Sequence, residues 1–99
     1  MNDGDKFAAI LGYIVRSLVK GYNYSLLHSQ LVHVMQRDGV ILSPDITVYL
    51  KYLEDEGYIE YTNDRVTSYT AYADNAMIRL TSKGVRLVGG RITDPGIDL

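Results

Sequence analysis

The chain has 99 residues, 46% of them hydrophobic and 22% charged, with a net charge of −2 at neutral pH. That is enough for one domain with a small core, and too little for two. The absence of cysteine excludes disulfides, thiolate metal sites and cysteine nucleophiles, and points to a reducing cytoplasm. No apolar run approaches the length of a bilayer span, and Met1 to Lys6 lacks a signal-peptide pattern, so no membrane association is expected.

The first predicted element is a helix from about Asp5 to Lys20. Phe7, Ile10, Leu11, Ile14 and Leu18 recur at helical spacing, Asp5 caps the start and Gly21 ends it. Ala8, Ala9, Tyr13, Ile14 and Val15 widen its apolar face beyond one core stripe. That width predicts a homodimer joined through Ala9, Tyr13 and Val15, the alternative being that the last helix covers it. Tyr22-Asn23-Tyr24 reads as a short extended linker. Ser25 reads as the N-cap of a second helix that ends near Asp38, with Leu27, Leu31, Val34 and Met35 inward and Gly39 as terminator.

Val40-Ile41-Leu42 reads as a buried apolar turn. Ser43-Pro44 then predicts a helix start, with serine as cap and proline in the first turn, where its missing N–H costs nothing. This third helix extends to Glu56, with Ile46, Tyr49, Leu50 and Leu53 inward and Gly57 as C-cap. Tyr58 to Thr62 and Ala76 to Leu80 alternate as strands, bounded by the turn pairs Asn63-Asp64 and Asp74-Asn75. Between them, Val66 to Ala73 reads either as a third strand or as the arms of one long hairpin. Thr81 caps a short last helix, Ser82 to Val88, stopped by Gly89-Gly90. The expected division is a single domain over 1–90 and a C-terminal tail over 91–99.

The expected fold is therefore mainly α with a small β-hairpin (α+β): three helices, a wing and a short C-terminal helix. Two helices joined by a turn, with a hairpin directly after the third, is the winged helix-turn-helix order. The segment Tyr49 to Ile59 resembles the end of a winged-helix recognition helix. Ile78-Arg79-Leu80-Thr81-Ser82-Lys83-Gly84 resembles the second wing strand and following helix of MarR-like, PadR-like and ArsR-like regulators. The ending Val88 to Ile97 resembles the tail of small winged-helix proteins of Mu-like phages and prophages. The superfamily resemblance implies a dimeric transcriptional regulator that binds double-stranded DNA. Ser43, Thr47, Lys51 and Tyr52 would contact DNA from the third helix, and Arg65 from the wing. The alternative is a winged-helix module that binds another protein, because residues 45–56 carry Asp45, Glu54, Asp55 and Glu56 against Lys51 alone.

Catalysis is not expected. No nucleophile elbow, phosphate loop or dinucleotide fingerprint is present, and no cofactor is implied. His28 and His33 are five apart on one helix and do not share a face, so no metal site is expected; both read as exposed or interface histidines. Glu54-Asp55-Glu56 points in three directions and reads as a solvated helix end.

Overall fold

The computed structural model describes residues 3–99. Helix α1 spans Asp3–Lys20, so Asp5 lies within the helix rather than at its cap. Ile10, Leu11, Ile14, Val15 and Leu18 are buried, and the Gly21 N–H closes the last turn on the Leu18 carbonyl at 3.1 Å. Tyr22–Tyr24 is not extended. It is a single 3-10 turn, with Asn23 and Tyr24 both at positive φ.

Ser25 does not cap the second helix. Ser25–Leu27 is strand β1, and helix α2 begins only at His28, ending at Arg37. One local and one distant side chain replace the expected serine cap. The Gln30 side chain accepts the Leu27 N–H at 2.8 Å, and the Asn75 side chain accepts the Ser29 N–H at 2.9 Å. The third helix is also shorter than expected: α3 spans Thr47–Asp55. Ser43 and Pro44 lie in the preceding turn, and the Asp45 carboxylate satisfies the Thr47 N–H at 3.0 Å. Of the turn expected to be buried, Val40 and Ile41 are half-buried, while Leu42 is 95% exposed.

Strand β2 (Ile59–Tyr61) and strand β3 (Met77–Leu80) pair antiparallel, with Ile59 opposite Leu80. The third strand of the sheet is β1, whose Leu27 faces Met77, giving the order β1-β3-β2. Val66 to Ala73 is neither a strand nor hairpin arms. It forms turns and leads into the one-turn helix α4, Ala71–Asp74. Helix α5 spans Ser82–Val88, and Thr81 Oγ1 accepts the Gly84 N–H as expected.

The architecture is thus α+β, with five α-helices and a three-stranded antiparallel sheet among the described residues. One core unites α1, α2, α3, β3 and α5 through Leu11, Ile14, Leu31, Leu50, Ile78 and Leu87. Part of the segment after α5 packs against it as well. Ile97 is buried, the Asp98 N–H donates to the Ala8 carbonyl at 3.1 Å, and Tyr58 Oη donates to the Asp94 carboxylate at 2.8 Å.

Candidate nucleic-acid interface

Leu50 and Leu53 turn one face of α3 into the core, which leaves Val48, Lys51 and Asp55 on the opposite side. Thr47 is half-buried at the helix start. Lys51 Nζ lies 2.8 Å from Asp55 Oδ1, one turn along. That hydrogen bond, and then the carboxylate's charge, holds the Lys51 ammonium above its ordinary pKa. The Lys51 ammonium is therefore already matched by an anion.

Tyr52 departs from the expected role. Its ring sits edge-on to Phe7 of α1, with centroids 5.8 Å apart, and its hydroxyl would crowd a Cβ on Gly96. It is an inward, half-buried side chain and does not share the face of Lys51. Ser43 is exposed in the turn before α3, its Oγ accepting the Asp45 N–H at 3.2 Å. Arg65 is exposed in the segment joining β2 to β3, and no ion pair holds its guanidinium among the described residues.

The expected dimer face on α1 is largely consumed by the fold. Val15 is fully buried, and Ala9 is half-buried. Tyr13 Oη donates to the Val34 carbonyl at 3.2 Å and bonds the Asp38 carboxylate, which ties α1 to the end of α2. The broad apolar stripe has an internal explanation: α1 packs against β1, β3, α3 and α5. Of its large apolar side chains, Val19 is left exposed, at 37%.

A cleft of about 540 Å³ opens between α2, the start of α3 and α4. Val32, Pro44, Ile46 and Tyr72 supply its apolar walls, and His28, Asp45 and Thr47 its polar ones. His28 is buried rather than exposed. Burial lowers its pKa from 6.5, against the opposing pull of the Asp45 carboxylate. Sequence reasoning missed this, although His28 sits three and four residues before Leu31 and Val32 and so shares their apolar face. A smaller recess of about 310 Å³ continues from Asp45 and Thr47 past Val48 and Lys51 to Tyr69. Tyr69 and Tyr72 are 63% and 68% exposed, so both stand out from the β2–β3 segment beside α3.

Among the described residues no group of histidine, aspartate and glutamate side chains is arranged to hold a metal ion. No described helix is long and apolar enough to cross a membrane. No protein-family model, curated protein or solved structure matches the chain.

Proposed function

We propose that the chain is a winged helix-turn-helix domain that binds double-stranded DNA through the outward face of α3, with residues 62–76 as the wing. The observation that carries this reading is topological. The elements run α1-β1-α2-α3-β2-α4-β3-α5 with strand order β1-β3-β2, and packing leaves one face of α3 free beside the β2–β3 segment. A helix of this diameter fits the major groove, and flanking loops then meet the phosphates.

The chemistry on that face favours base contact over phosphate contact. Lys51 would donate to a guanine edge and the Thr47 hydroxyl to a neighbouring base or phosphate, while Ser43 and Arg65 would meet the backbone. Asp45 and Asp55 lie on the same side and oppose phosphate, so non-specific affinity is expected to be low. The functional class that follows is a selective DNA-binding regulator.

Selection from a random duplex pool, followed by anisotropy titration of the enriched sequence, tests this. The double variant Lys51→Ala, Arg65→Ala should bind the selected duplex about tenfold or more weakly, with a flatter salt dependence. Equal binding by the double variant, or no enriched sequence, overturns the reading. A second reading, a protein-binding module, is favoured by one observation: Val48, Tyr69 and Tyr72 are all more than half exposed beside acidic side chains. Tyrosine-rich, weakly charged surfaces are common at protein interfaces. Failure to enrich any duplex moves that reading into first place.

A further inference from the structure

The positive charge missing from α3 is found elsewhere. Arg79 on β3, Arg86 on α5 and Arg91 beyond it line a depression of about 470 Å³, together with Asn23 and Tyr24. It shares no lining residue with either recess beside α3.

The backbone explains how these groups meet. Gly90, at a φ of +79°, reverses the chain after α5, and the Arg91 N–H donates back to the Arg86 carbonyl at 2.9 Å. The turn sets Arg91 over the last turn of α5, beside Arg86. Both side chains are exposed, and neither has an ion pair among the described residues. Arg79 is partly neutralised by Glu60, whose carboxylate accepts its Nε at 3.0 Å. The depression therefore keeps two unmatched guanidinium groups in a chain of net negative charge.

A second observation is independent of charge. Asn23 and Tyr24 adopt φ of +55° and +59°, a left-handed conformation that is uncommon for a bulky residue. The turn is pinned from both sides. Ser25 Oγ donates to the Tyr22 carbonyl at 2.7 Å, and a Cβ on Gly21 would lie 1.9 Å from the Ser25 carbonyl oxygen. This conformation is cheapest for glycine, yet the chain places tyrosine there. It leaves Tyr22 94% exposed, and it leaves Tyr24, which lines the arginine-lined depression, 45% exposed. Aromatic faces beside guanidinium groups are the means by which unpaired bases and their phosphates are held.

We propose that this depression is a binding site for single-stranded nucleic acid, with backbone phosphates on Arg86 and Arg91 and an unpaired base stacked on Tyr24. A duplex keeps its bases stacked inward and offers no face to Tyr24, which is why a single strand is the favoured form. The site goes beyond the α3 reading and stands on different residues.

The test titrates a short fluorescein-labelled oligothymidylate against the whole chain by anisotropy across a salt series. The wild type should bind, and the double variant Arg86→Ala, Arg91→Ala should lower the salt slope by about 1.4, the value for two single-strand phosphates. Tyr24→Ala should weaken binding about tenfold, and Tyr24→Phe should restore it. These side chains are exposed, and circular dichroism melts establish that each variant is folded. No binding by the wild type, or binding unchanged in the arginine variant, overturns the proposal. Loss of oligothymidylate binding in Lys51→Ala, Arg65→Ala, with the arginine variant unaffected, also overturns it and assigns the single strand to α3. Loss of selected-duplex binding alone in Lys51→Ala, Arg65→Ala leaves the two sites distinct, as proposed.

Discussion

The carbonyl oxygen of Asp98 lies 1.8 Å from the point where a Cβ on Gly12 would stand. The C-terminal chain thus crosses α1 in direct contact with its backbone, and Arg16 Nη1 donates to the same oxygen at 3.4 Å. Glycine in a helix interior costs about 1 kcal/mol relative to alanine, so the helix taken alone prefers Gly12→Ala. Docking opposes that preference. Displacing the chain end would expose Ile97, at about 2 kcal/mol, and break the Asp98–Ala8 hydrogen bond, at about 1 kcal/mol. Gly12→Ala should therefore destabilise by about 2 kcal/mol in denaturant melts and open residues 94–99 to hydrogen exchange. A variant as stable as wild type, with those amides still protected, would falsify the docked position.

Tyr58 and Tyr61 should ionise late. Burial, reinforced by the Asp94 carboxylate, pushes Tyr58 up to about 12; burial pushes Tyr61 up to about 12 against the opposing Ser68 hydrogen bond. Both pKa values are raised from 10, so the stability these phenols supply is complete below pH 10 and drains away between 10 and 12. Alkaline titration of tyrosinate absorbance should show a late component that coincides with loss of helical circular dichroism. A single component near 10, with the fold intact, would contradict it.

His28 gives the acid limb. Desolvation depresses its pKa below 6.5, so its neutral form stabilises the fold above that value and the contribution is lost as pH falls through the folded pKa. Denaturant melts should show stability declining with acidification below 6.5, and His28→Gln should flatten that part of the profile. The imidazole midpoint of His28 is directly readable by NMR and should lie under 6.5.

Asp55→Asn should strengthen duplex binding. The substitution removes an anion that opposes phosphate and frees the Lys51 ammonium for the guanine edge. The salt slope for the selected duplex should steepen by about 0.9, one counterion's worth. Weaker binding, or an unchanged slope, would show that Lys51 does not face DNA.

Much of the helical frame was legible in the chain itself. Ile10, Leu11, Ile14 and Leu18 repeat at helical spacing, Leu31 and Met35 do likewise, and all are buried. Thr81 acts as the cap its position suggested. The misreadings share one cause. Ser25 and Ser43 have the residue type of a helix cap, but β3 claims the backbone at Ser25 and Asp45 supplies the cap at Thr47. Tyr52 and Val15 fall on helices as expected, but Phe7 and the core claim their sides. For the candidate site, Lys51 and Thr47 were visible from the sequence, while the cleft at His28 and the pairing of Arg86 with Arg91 were not.

The sequence by itself determined where helices could form, which stripes they buried and where glycine broke them, because periodicity and caps act over three or four residues. Tertiary structure alone decided that Ser25–Leu27 is a strand, that Asn75 caps α2, and that the chain end lies on Gly12. It also decided which side chains are left to meet a partner. Each of these depends on hydrogen bonds or packing between segments more than forty residues apart, and nothing within a short window encodes them.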